Sequence, residues 1–251
     1  MTRDQNPPML LILSTSVIAT SFLSGIFGMA GGMVLMGILL ALMSVEKAMV
    51  IHGVAQLASN GWRAVLWRRS IQWRVLRGYA VGAATVVVLL LALGVTLSHA
   101  VVLLLLGATP FIAWLLPPSL QLNVDRRGHA FACGVVCMGV QMLSGVSGPL
   151  LDTWFVRSGM TRHAVVSTKA AVQVVSHGTR IAFFGTLLAT ANQPVGAGLA
   201  ALLVASAIVG TSASRLVLDR MTDANFRQIT QRLVLALGVG YLATGIWQLV
   251  R

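Results

Sequence analysis

Four polar side chains, His52, Gln56, Ser59 and Arg63, stand in an otherwise apolar tract and recur 117 positions later as Lys169, Gln173, Ser176 and Arg180. On a helix, offsets of 0, 4, 7 and 11 fall within about 60° of one another, so each quartet forms one stripe. Without gaps, the run from Gln56 to Arg63 matches the run from Gln173 to Arg180 at Gln, Ser, Gly and Arg. Cations at the ends of a stripe with neutral donors between them suit a hydrated anion that sheds its water in steps. Asn60 and His177 sit at the flanks of the two stripes. Other roles compete. Arg63 and Arg180 lie near helix ends, where they can snorkel, and the Gln and Ser pairs can hydrogen-bond between helices. Lys169 lies inside its tract, where a charge costs a few kcal/mol unless it is paired or wet.

Each stripe follows a glycine-rich element. The first runs from Gly25 through Gly28 and Gly31 to Gly32, and the second from Ser144 through Gly145, Ser147 and Gly148 to Pro149. The same offset pairs Gly28 with Gly145 and Gly31 with Gly148. Gly28, Gly31, Gly32, Gly145, Gly148 and Pro149 are therefore expected to act as hinges or to offer backbone N–H groups at positive helix ends to an anion. Asp152 follows the second element closely. It favours a helix N-terminus, pairs with Lys169, or accepts a coupling proton; its counterpart is Leu35, so any such role belongs to one half only.

A different chemistry is also written here. The run from Gly145 to Gly148 has the Gly-x-Ser-Gly pattern of intramembrane serine proteases, with His177 as a possible base for Ser147. The first half carries Ala30 and Asn60 at those two positions, so the pattern is expected to be geometric and the chain not an enzyme. Cys133 and Cys137 share one side of a helix without a His or acidic neighbour, which reads as packing, with no metal site. No phosphate-binding Gly-x4-Gly-Lys-Ser/Thr run exists, so neither a nucleotide nor another cofactor is expected.

These stripes need a membrane to sit in. With 57% hydrophobic and 10% charged residues and a mean hydropathy of +0.85, polar groups are too few to cover a soluble globule of this length. Most apolar tracts approach the roughly 20 residues that cross about 30 Å of hydrocarbon as a helix, and none shows the period of two of a barrel strand. The net charge of +12 is spread over short loops between these tracts, which fits membrane orientation and not nucleic-acid binding. The first apolar run continues without a small-residue cleavage site, so a removed signal peptide is not expected.

The turn-rich stretch from Pro117-Pro118 to Gly128 divides the chain into repeat 1 (1–118), a cytoplasmic linker (119–128) and repeat 2 (129–251). A straight helix from Met9 to Met43 would be about 52 Å long, so the chain must bend or turn back at the glycines. With four full spans per half, the basic loops fall on both sides. With a broken or re-entrant element followed by three membrane-spanning helices, the arginines at 68, 69, 74, 77, 126, 127, 157, 162, 215, 220 and 227 share one side, opposite Arg3, Lys47 and Arg251. The expectation is an all-α polytopic membrane protein of two inverted-topology repeats in the cell membrane, with basic loops cytoplasmic and both termini outside.

The first-half run from Gly25 to Leu35, continuing to the basic segment from Trp67 to Trp73, resembles the glycine-rich entry element, helix and loop of the sulfite exporter TauE/SafE family, also called the 4-toluene sulfonate uptake permeases. The run from Gly145 to Leu151 resembles that family's second such element, and the likeness extends over nearly the whole chain. It implies movement of a small anion, often a sulfur oxyanion or organosulfonate, across the cytoplasmic membrane. Alternating access is the expected mechanism, with the small anion and the bilayer as partners. The oligomeric state, the direction of flow and the coupling ion are left open. A noncatalytic membrane assembly subunit is the remaining alternative.

Overall fold

The computed structural model describes residues 6–27, 29–94, 98–117, 122–214 and 223–250. Side chains at 27, 162, 223–228 and 230 are outside the description. Ten α-helices occupy these residues and no strand occurs among them. They are α1 (Pro7–Phe27), α2 (Ala30–Leu42), α3 (Val45–Leu66), α4 (Trp73–Leu93), α5 (His99–Leu115), α6 (His129–Ser144), α7 (Gly148–Phe155), α8 (Arg162–Thr190), α9 (Ala197–Ala213) and α10 (Asp223–Val250).

Helix breaks fall at both glycine-rich elements. Helix α1 ends at Phe27 and α2 starts at Ala30, and Gly28 lies outside the described residues. The chain folds back there, because a Cβ on Gly31 would collide with the Thr20 carbonyl and with Ser24 of α1. Between α6 and α7, Gly145 adopts φ 81, a left-handed conformation that costs a Cβ-bearing residue far more than glycine. Pro149 then stands in the first turn of α7, where its missing N–H would have had no helical partner. Among the described residues each broken pair, α1–α2 and α6–α7, is followed by three further helices, α3 to α5 and α8 to α10.

Three helical stretches are long and apolar enough to cross a bilayer by composition: Pro7–Ile26, Trp73–Leu93 and Gln231–Val250. Helices α3 and α8 are longer than all three, at 22 and 29 residues, but the polar stripes lower their hydropathy. The turn before α6 begins at 122 among the described residues, and position 118 and positions 119–121 of the expected linker lie outside them, as do Arg3, Arg215, Arg220 and Arg251.

Packing gathers the chain into two compact units that do not coincide with the sequence halves. One comprises Met1–Ser59 and Arg180–Leu237, the other Asn60–Thr179 and Gly238–Arg251. In the first unit α1 packs along α9, where Gly210 brings the α9 backbone onto the Ile18 carbonyl and the Phe22 N–H. In the second, α4 packs along α6: Gly82 faces the Phe131 carbonyl, and Gly134 faces the Tyr79 carbonyl. Each crossing is a small-residue contact of the kind that lets membrane helices pack backbone to backbone. Each also joins the first helix of one half to the helix following the polar stripe of the other half, an exchange that binary hydropathy cannot encode.

Candidate functional site

In the first unit the polar residues meet around His52. Its Nε2 lies 2.9 Å from the Gly32 carbonyl oxygen, and its Nδ1 lies 2.6 Å from Nη2 of Arg180. A carbonyl only accepts and a guanidinium only donates, so the ring carries its hydrogen on Nε2 and offers the Nδ1 lone pair to Arg180. The neutral imidazole thus transmits the position of the α1–α2 break to a guanidinium on α8. Arg180 is fully buried, at 0% exposure, where α3 and α8 approach closely. A Cβ on Gly53 would lie 2.8 Å from Ile181 Cγ1 and 3.5 Å from Arg180 Nη2.

Gln56 stands one turn above His52. A Cβ on Gly32 would lie 3.3 Å from its Nε2, so the glycine leaves room for the amide beside the break. Ser59, a further turn on, shares a 2.9 Å hydroxyl–hydroxyl bond with Thr211 of α9. Nearby on α1, the Ser21 and Ser24 hydroxyls are buried and have no hydrogen-bond partner. The result is a buried cluster of one guanidinium, one imidazole, one amide and several hydroxyls.

In the second unit, Gly61 lies beside Val174, with 3.9 Å from an added Cβ to Cγ2, and Ala64 packs with Ala170 and Ala171. Contacts step down α8 as they step up α3, so these segments run antiparallel. Lys169 of α8 forms an ion pair with Asp152 of α7, at 28% and 40% side-chain exposure. Partial exposure places this pair nearer the weak, screened class than the buried one. One turn beyond Lys169, the Gln173 Oε1 is buried without a hydrogen-bond partner. Ser176, the counterpart of Ser59, bonds the Tyr79 hydroxyl of α4 at 2.6 Å. Arg63 lies in the last turn of α3, and Asn60 is buried at 7% exposure.

Ser147 and His177 are linked through Gln141 and not directly. Gln141 of α6 lies between Ser147 and His177: its Oε1 accepts from the Ser147 N–H at 2.9 Å and from the Ser147 hydroxyl at 2.8 Å. Its Nε2 sits 3.0 Å from His177 Nδ1. The two acceptances fix the amide, so its nitrogen donates to His177, whose Nδ1 therefore lacks the hydrogen. The one hydroxyl proton of Ser147 is directed at an amide oxygen, which is no base, and the bond to imidazole that a Ser–His dyad needs is absent. What this network does is brace the α6–α7 break across to α8.

Three partners were not singled out by their sequence positions: Gln141, Tyr79 and Thr211. For Gln141 a signal existed, since it is the one amide in the apolar α6 tract and stands at the repeat offset from Ser24. Tyr79 and Thr211 are bonded only because α4 and α9 are exchanged. Cys133 and Cys137 are free and buried with sulfurs 3.8 Å apart. Among the described residues no group of three His, Cys, Asp or Glu side chains converges on a metal position.

Comparison with known proteins places one description on this fold. The family model for the sulfite exporter TauE/SafE matches residues 12–241. No significant match exists among the curated proteins or the solved structures.

Proposed function

This chain belongs to the sulfite exporter TauE/SafE family, and from that premise we propose that it is a secondary transporter moving a sulfur oxyanion or small organosulfonate across the cytoplasmic membrane by alternating access. Family membership makes it a membrane transporter for a small anion; the substrate class, the mechanism and the residues below are the proposal. The observation that carries it is the buried Arg180 guanidinium held by His52, which is itself held by the Gly32 carbonyl at a helix break. A unit charge about 4 Å from a guanidinium gains about 4 kcal/mol at an effective dielectric near 20, against about 1 in water. Desolvation of the anion and of the buried guanidinium opposes this gain, which favours a weak site that can release its ligand.

The binding residues in this reading are His52, Gln56, Ser59, Asn60 and Arg63 on α3 and Lys169, Gln173, Ser176, His177 and Arg180 on α8. The antiparallel course of the α3 and α8 segments supports an inverted relation of the halves, in which His52 and Lys169 are equivalent, as are Arg63 and Arg180. Gly31, Gly32, Gly145, Gly148 and Pro149 are then the hinges, and Gly28 joins them by its place in the repeat. The basic loops lie in the cytoplasm and the termini outside. Lys169 has a carboxylate partner in Asp152. When Asp152 takes a proton, Lys169 loses its counter-charge and becomes available to the anion, which couples proton and anion movement.

The test is uptake of radiolabelled sulfite, sulfate and a small organosulfonate into proteoliposomes under an imposed pH gradient, for the native chain, Lys169→Gln and Arg63→Gln. Saturable uptake by the native chain that both substitutions abolish is the expected result. Folded protein that moves none of the three anions refutes the substrate class.

A further inference from the structure

A basic cavity lies at the helix ends, apart from the stripes. Helices α4 and α6 begin side by side at Trp73 and His129, drawn together where a Cβ on Gly78 would sit 2.9 Å from that of Ala130. Between their first turns and the turn leading into α6 is a cavity of about 290 Å³. Arg74, Arg126 and Arg127 line it together with the buried Val75 and Val124.

All three arginines are exposed, and none makes a salt bridge or hydrogen bond through its guanidinium to another described residue. The neighbouring carboxylate is already engaged, because Asp125 Oδ2 accepts from the Gly159 N–H at 2.7 Å. The start of α6 adds to the positive field: Gly128 caps it at φ 82 with no side-chain acceptor, and although the His129 N–H is bonded to the Arg126 carbonyl at 3.2 Å, the positive helix end lies beside the cavity. Three guanidinium groups with no partner among the described residues, around one small cavity, suit a phosphate-like charge.

The surroundings say where that charge comes from. Trp73 stands 60% exposed at the start of α4, as an interfacial aromatic does. Further along the two helices Val81 is 60% exposed and Phe131 and Val136 are 41% and 42% exposed. An amphiphile fits this gradient, with its head among the arginines and its chains against the apolar helix surfaces; a free inorganic ion uses only the first part. We propose that this cavity binds the headgroup of an anionic phospholipid, with the phosphodiester held by Arg74, Arg126 and Arg127. The lipid would tie the turn before α6 to the start of α4. Basic pockets between helix ends are the usual form of such sites.

The experiment uses the purified full chain in detergent, titrated with phosphatidylglycerol or phosphatidylcholine and read by native mass spectrometry and thermal unfolding. Soluble glycerophosphoglycerol and inorganic phosphate form the other two arms. The triple variant Arg74→Gln/Arg126→Gln/Arg127→Gln is compared with Arg68→Gln/Arg69→Gln/Arg157→Gln, which removes the same charge elsewhere. The expected result is a retained phosphatidylglycerol adduct that stabilises the native chain and the control variant, with affinity lost in the triple variant. Each single substitution should weaken binding about five-fold, and Arg126→Gln and Arg127→Gln on exposed positions serve if the triple variant does not fold. Equal losses in the control would overturn the proposal by reducing it to general surface charge. Equal stabilisation by glycerophosphoglycerol or phosphate would overturn it in favour of a soluble anion, and indifference to all four additions would remove the site.

Discussion

Replacing His52 separates its two roles, as filler and as a relay between Gly32 and Arg180. His52→Leu keeps an apolar side chain of comparable bulk in a position that is 1% exposed and removes both hydrogen bonds. His52→Gln retains an acceptor for Arg180 and a donor for the Gly32 carbonyl. A hydrogen bond to a charged group is worth about 1.5–3 kcal/mol, although membrane interiors return only about 0.6–2 because the lipid-embedded reference state finds other partners. The overlap of these ranges, about 1.5–2 kcal/mol, corresponds to a factor of about 12–30. If Arg180 holds the anion in the orientation that His52 sets, the Leu variant should raise the KM for anion uptake by that factor while the Gln variant stays within about three-fold of native. Uptake kinetics in proteoliposomes measure KM, and thermal unfolding in detergent shows whether the variants are folded. A folded Leu variant with native KM would refute the relay, and so would a Gln variant as impaired as Leu.

Asp152→Asn should leave downhill anion uptake measurable and remove its response to an imposed pH gradient; a gradient response of native size would exclude Asp152 as the proton acceptor. Stability should change little with this substitution, by about 1 kcal/mol, because the Lys169–Asp152 pair is partly exposed and screened. Ser147→Ala should retain most transport, and proteolysis that vanishes with this substitution would return the serine-protease reading. Gln141→Leu should cost more than Ser147→Ala, since it strands the Ser147 N–H and releases His177; equal melting temperatures would show the brace to be unimportant. Gly134→Leu should lower the unfolding temperature sharply, because even a Cβ meets the Tyr79 carbonyl and overpacking a close crossing costs about 1–3 kcal/mol or more. An unchanged melting curve would mean that α4 and α6 part without loss.

What could be read from the residues divides along the range of the interactions. The stripes were legible because an amide, an imidazole or an ammonium in a lipid-facing tract is costly, so four at helical spacing, written twice, mark one face. Both helix breaks were legible because Gly145 occupies a backbone region that other residues avoid, and Pro149 supports the start that follows. The partners of these groups were not legible in the same way. Ser59 meets Thr211 and Ser176 meets Tyr79 because α9 and α4 are exchanged between the halves, and that exchange is set by where Gly210 and Gly82 allow two backbones to touch. A glycine that serves a crossing looks the same in sequence as one that serves a turn. Hydropathy likewise points away from the site: α3 and α8 are too polar to stand out as spans, although they carry both stripes. In a transporter this is the expected direction of error, since the segments that must hold an ion inside the membrane are the ones that a lipid-solubility criterion scores lowest.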